Sequence, residues 1–114
     1  MSILTSKIEG TFVVMPNGRL DTNNYTEASE LVTKTIKSGE SQVVFDFSKT
    51  DYISSSGLRV ILQAAKLVHK TGRVVLCNAN EQIHEVLEIS GFLDMIKYCD
   101  NLQDAIAAAA DIPG

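Results

Sequence analysis

Asp46-Phe47-Ser48-Lys49-Thr50-Asp51-Tyr52-Ile53-Ser54-Ser55-Ser56-Gly57-Leu58 is the stretch on which the reading of this chain turns. An apolar strand runs into three serines and then into an amphipathic helix, so hydroxyls stand at an exposed strand-to-helix junction. Such a junction can hold a helix cap, a phosphoryl group or a nucleophile, and each job asks for different neighbours.

A helix beginning near Ser56 leaves its first backbone N–H groups without intrahelical partners, and serine is among the best residues to accept from them. One hydroxyl is enough for a cap, and three exceed the need. Gly57, lacking a side chain, would let a partner surface or a phosphate come close to the backbone. A helix N-terminus carries partial positive charge and suits an anion, so the fold would tolerate a phosphoserine of charge about −1.5 to −2. The same charge, reinforced by Asp51, would repel an acidic or apolar partner surface laid over the junction. Catalysis asks for a base within hydrogen-bond reach and an oriented third group. No G-x-S-x-G elbow is present. His69 falls three to four turns along the same helix, and His84 lies in a third helix, where a surface or cap-like role is expected of both. With no phosphate-binding glycine loop, dinucleotide fingerprint or Cys/His cluster, no catalytic residue, no metal ligand and no cofactor are expected. A phospho-accepting role for Asp46 would need an acidic pair after the first strand, where Glu9-Gly10 and Pro16-Asn17 stand instead. A turn-capping role, through Asp46 or Ser48, is the expectation.

Outward from the junction, Ile3 to Ile8 and Thr11 to Met15 read as two strands joined by a hairpin turn at Glu9-Gly10, with Pro16-Asn17-Gly18 breaking the pattern. Ala28, Leu31, Val32, Thr35 and Ile36 recur at helical spacing and stop at Ser38-Gly39. Val43 to Phe47 lacks strict alternation, which predicts a central strand covered on both faces. Leu58, Ile61, Leu62, Ala65 and Val68 mark the buried face of the next helix, with Arg59, Gln63, Lys66 and Lys70 toward water and Val60, Ala64 and Leu67 between. Arg73 to Cys77 predicts a buried strand, Glu81 to Ser90 a helix, Met95 to Cys99 a short strand and Leu102 to Ala110 an alanine-rich helix. Strands alternating with helices after a hairpin predict a mixed sheet with parallel pairs and right-handed crossovers.

The 114 residues, 45% hydrophobic and 21% charged, suit one α/β domain spanning 1–114. Apolar runs are far shorter than a membrane span and the start lacks a basic leader, so a cytoplasmic protein with no membrane insertion is expected. Net charge is −4 with scattered Lys and Arg, which argues against nucleic acid. Cys77 and Cys99 are too far apart in sequence for a paired-thiol or zinc motif and read as buried free thiols.

Gly18-Arg19-Leu20-Asp21, Val44-Phe45-Asp46-Phe47-Ser48, Tyr52-Ile53, Ser55-Ser56-Gly57-Leu58, Val60-Ile61-Leu62, Val75-Leu76-Cys77-Asn78 and Val86 to Phe92 together resemble the STAS domains, most closely the bacterial anti-sigma-factor antagonists. The resemblance covers nearly the whole chain and implies a four- or five-stranded mixed sheet with about four helices mainly on one side. It also implies a noncatalytic switch: the unphosphorylated antagonist binds an anti-sigma serine kinase and frees a sigma factor, and a metal-dependent serine phosphatase reverses phosphorylation by that kinase. Carried over, the phosphoacceptor is Ser55, two before the glycine, with Ser54 and Ser56 as alternatives. The implied partner face comprises Asp21, Thr22, Asn23, Asn24, Ser54, Ser56 and Gly57, with Val60, Ala64 and Leu67 as exposed apolar positions. Ser54 stands where the D-S-[ST]-G-L form has an aspartate, which removes one negative charge beside the acceptor. A constitutive adaptor on a transporter ATPase or signalling scaffold, and a small hydrolase using Ser55, are the competing readings.

Overall fold

Glu9 and Gly10 take φ of 52° and 81°, the left-handed pair that a tight two-residue hairpin requires. They join β1 (Ser2–Ile8) to β2 (Thr11–Leu20) in an antiparallel pair. The computed structural model describes residues 2–111; Met1 and residues 112–114 of the expected domain lie outside them. Then follow α1 (Tyr25–Lys37), β3 (Gln42–Asp46), β4 (Thr50–Ile53), α2 (Ser55–Val68), β5 (Arg73–Cys77), α3 (Glu81–Ile89), α4 (Phe92–Met95), β6 (Lys97–Cys99) and α5 (Leu102–Ala110).

The sheet runs β1-β2-β3-β5-β6, parallel from β2 onward, and β4 pairs separately with the far end of β2. Among the described residues, six strands and five helices thus replace the four or five strands and about four helices expected. The additional strand is β4, hidden by its length and by a pattern in which only Thr50 and Ile53 are buried. Nor does Pro16-Asn17-Gly18 end β2. A register shift between Gly18 and Arg19 carries the strand past β3 to a new partner, aligning Arg19 with Tyr52 and Leu20 with Ile53. Thr50 is buried at this changeover and its hydroxyl donates to the Pro16 carbonyl at 2.6 Å.

β3 lies between β2 and β5 and is covered on both faces, which explains its unbroken apolar run. Phe12, Val14, Val43, Phe45, Val74 and Leu76 face one cluster with residues of α1, α2 and α3. Val13, Val44, Val75 and Cys77 face a second, smaller cluster with Ala105, Ile106 and Ala109 of α5. Phe45 is fully buried in the larger layer, where its loss to alanine would cost about 3 to 5 kcal/mol. Cys77 is fully buried, and desolvation first, with Asp46 and Cys99 adding, pushes its thiol from 9.0 up to about 12. It is inert at neutral pH.

α2 departs from the expected helical face. Gly57, Val60, Ile61, Ala64 and Val68 are its buried residues, whereas Leu58, Leu62 and Ala65 are only partly covered. The helix packs against both the sheet and α1, so its buried arc is rotated toward the two neighbours. Val60 and Ala64, 2% and 0% exposed, therefore belong to the core and cannot present an apolar surface to a partner; Leu67 is exposed. In the last part of the chain Phe92–Met95 is a single helical turn, and the edge strand starts at Lys97 rather than Met95.

Candidate functional site: the serine junction at the head of α2

The three serines hold three different positions. Ser54 is the N-cap, in extended conformation, and its hydroxyl accepts from the Gly57 N–H at 3.3 Å while its carbonyl takes the first helical bond from Leu58. Its own N–H donates to the Leu20 carbonyl at 2.9 Å, tying the junction to the end of β2. Ser55 is the first helical residue; it is exposed, and its hydroxyl makes no side-chain hydrogen bond to another described residue. Ser56 is half-buried, with its hydroxyl 3.4 Å from that of Thr22. Capping falls to one serine, and the helix begins one residue earlier than Ser56.

Gly57 has a different purpose from the one its sequence position suggests. It is buried, and a Cβ there would stand 2.7 Å from both the Leu20 carbonyl oxygen and Ile53 Cγ1. The close approach it permits is that of β2 and β4 to the first turn of α2, so it is not open to a partner's surface.

The Asp21–Asn24 loop completes the rim. Asp21 N–H donates to Asn24 Oδ1 at 2.9 Å, Asn23 N–H donates to Asp21 Oδ1 at 3.0 Å, and Asn24 Nδ2 donates to the Arg19 carbonyl at 2.7 Å. This mesh holds Thr22 and Asn23 exposed beside Ser56. Arg19 pairs with Asp21 at 3.2 Å and lies 4.2 Å from the centre of the Tyr52 ring. Sequence reading did not single out Arg19 and Tyr52 as site residues, because their adjacency depends on the register of β2 with the inconspicuous β4.

Electrostatically the head of α2 is open. The first turns of α1, α3 and α5 carry Glu27, Glu81 and Asp104, which offset the helix dipole; the first turn of α2 carries no acid. Asp46 is turned elsewhere: buried, it accepts from Ser48 N–H at 3.0 Å and from Asn78 Nδ2 at 3.1 Å, the turn-capping role anticipated for it. His69 follows the C-terminal end of α2, and His84 packs edge-on to Tyr98 at 5.0 Å, so neither ring is hydrogen-bonded to a serine among the described residues. Also among the described residues, no three His, Cys, Asp or Glu side chains cluster to hold a metal ion, and no helix is long and apolar enough to cross a membrane.

A mixed sheet with α1 to α4 on one face, α5 on the other and an exposed hydroxyl at the head of α2 defines a single domain of the α/β class. The STAS domain profile matches residues 2–105, and the chain belongs to the STAS family. Bordetella bronchiseptica BtrV, which carries a provisional anti-sigma factor antagonist assignment, is 35% identical over 109 residues, covering 95% of this chain and 94% of that protein. The fold matches a Thermotoga maritima structure given the same provisional assignment, with a TM-score of 0.89 at 21% identity over 95% of this chain and 94% of that one. It also matches the anti-sigma factor antagonist SpoIIAA of Bacillus. Its unphosphorylated form has a TM-score of 0.78 at 19% identity, covering 97% of this chain and 100% of that one. Its phosphorylated form has a TM-score of 0.73 at 19% identity, with coverage of 94% and 98%.

Proposed function

We propose that this chain is a noncatalytic anti-sigma factor antagonist of the cytoplasm, switched by phosphorylation of Ser55. Unphosphorylated, it binds an anti-sigma serine kinase and frees a sigma factor; the kinase phosphorylates Ser55, and a metal-dependent serine phosphatase restores the binding form. The observation that carries this reading is the division of labour at the junction. Ser54 is engaged as a cap and Ser56 is half-buried against Thr22, whereas Ser55 is exposed with its hydroxyl free at an uncompensated helix N-terminus. A phosphate there meets the positive end of α2 and leaves the cap untouched.

The serine at position 54 fits this scheme. Serine and aspartate are comparable N-caps, so replacing the family's usual aspartate keeps the cap and removes only the charge. The partner face narrows to the exposed Thr22, Asn23 and Ser55, the half-buried Asp21, Asn24, Ser54 and Ser56 around them, and the exposed Leu67 further along the helix. The relatives' anti-sigma antagonist names support the same partner class.

Phosphopeptide mass spectrometry after incubation with the cognate kinase and ATP tests the switch. Stoichiometric phosphate on Ser55 is expected; phosphate on none of the three serines would reduce the protein to a constitutive adaptor. Labelling of Ser55 by a fluorophosphonate probe would instead point to a hydrolase.

A further inference from the structure

Between Asp51 and Glu81 the chain has no acidic residue, although it has fourteen elsewhere; within that interval lie Arg59, Lys66, Lys70 and Arg73. The solvent side of α2 inherits this bias. Ser55 and Arg59, Arg59 and Leu62, Arg59 and Gln63, Leu62 and Lys66, and Gln63 and Leu67 are three or four residues apart, a single stripe about 18 Å long at 1.5 Å per residue. The last five of these line one shallow groove, in which Leu67 is 39% exposed and Leu62 half-buried. On the α1 side a second groove, sharing Gln63, adds Lys34 and Lys37 against a single acid, Glu30. The ion pairs among the described residues are Lys7–Glu40 and Arg19–Asp21, so the cations of this face are not neutralised by salt bridges there. A protein of net charge −4 thus shows one cationic, apolar-centred helix face that begins at the switch serine.

We propose that this stripe docks an acidic, leucine-bearing helix or segment of the protein partner, a reading that rests on Ser55 as the switch and specifies the chemistry of what it controls. Leu62 and Leu67 supply the apolar contact, and Arg59 and Lys66 pair with carboxylates spaced one helical turn or two apart. The arrangement gives phosphorylation a direct means of release. Ser55 and Arg59 are four residues apart on one helix face, so phosphate on Ser55 pairs with Arg59, removes the first cation of the stripe and opposes the partner's acids.

The test is a titration of the intact protein with a fluorescein-labelled synthetic helix carrying glutamates and leucines at i, i+3 and i+4. A lysine counterpart and a short DNA duplex serve as competing probes. Saturable one-to-one binding of the glutamate peptide is expected, weakened about tenfold in Arg59→Gln/Lys66→Gln and again between about 0.05 and 0.2 M salt. Ser55→Asp is expected to weaken it by a similar factor, with amide shifts confined to α2 and the adjoining surface of α1. Circular dichroism checks that each exposed-site variant remains folded. Absent saturation, equal binding by the lysine peptide, tighter binding of the duplex, or affinity unchanged in the glutamine variant would overturn the proposal. Affinity unchanged by Ser55→Asp would overturn it as well, by separating the surface from the switch. No kinase takes part, so a flat titration alongside full phosphate transfer to Ser55 would remove the partner assignment alone.

Discussion

The heads of α2 and α3 are built on one plan and finished differently. Each follows a parallel strand, each is capped by a side chain in extended conformation, Ser54 or Asn80, and each cap accepts from the N–H three residues on. In α3 the first helical residue is Glu81, which meets the dipole with a built-in charge. In α2 the same place belongs to Ser55, a neutral hydroxyl. An anion is thus a fixed part of the fold at α3, while at α2 the fold leaves room for one to be added. Adding phosphate to Ser55 makes the head of α2 electrostatically like that of α3.

The comparison breaks most severely at the third helical residue. Ile83 there is buried in α3, whereas in α2 the place is taken by Gly57, pressed against Leu20 and Ile53. Gly57→Ala should cost about 2 to 3 kcal/mol by overpacking, read as a lower urea midpoint at unchanged slope. The caps come next. Asn80 accepts from Ile83 N–H at 2.8 Å and donates toward the Thr50 and Asp51 carbonyls, both at 3.3 Å, so it also anchors β4. Asn80→Ala should cost about 2 kcal/mol and Ser54→Ala about 1 kcal/mol in the same measurement. Equal losses would mean that the tie to β4 contributes nothing. Smallest is the exchange of first residues: Ser55→Glu should stabilise the protein by about 0.5 kcal/mol and Glu81→Ser destabilise it by a similar amount. Both effects should shrink in high salt. A destabilising Ser55→Glu would show that the two heads are not equivalent.

Long, strongly patterned elements were legible in the sequence. α1 declares itself through 3.6-residue periodicity, α5 through its run of alanines and the doubly covered β3 through an unbroken apolar run, and Asp46 at its strand end foretells the turn it caps. What stayed hidden depends on neighbours that sequence spacing does not name. β4 has four residues with its two central positions exposed, so it lacks an alternating signature, and its pairing rests on a bulge in β2. Val60 and Ala64 lie outside the single buried face that the helical spacing suggests, yet they are core residues because α2 meets the sheet and α1 together. At the site, the junction and its serines were visible in one dimension. Their sorting into cap, exposed hydroxyl and loop contact was not, since Thr22 and Leu20 reach them only through the fold.

The hydrogen bond from Ser54 N–H to the Leu20 carbonyl has a consequence for any enzyme that modifies Ser55. The residue before the acceptor is stitched to a strand, and the acceptor itself already has helical geometry on the first turn of α2. The chain cannot be drawn out into an extended substrate cleft without breaking the sheet edge and unwinding that turn. A modifying enzyme must therefore recognise a folded surface, and a short peptide copied from residues 48–62 would make a poor substrate for the same catalyst.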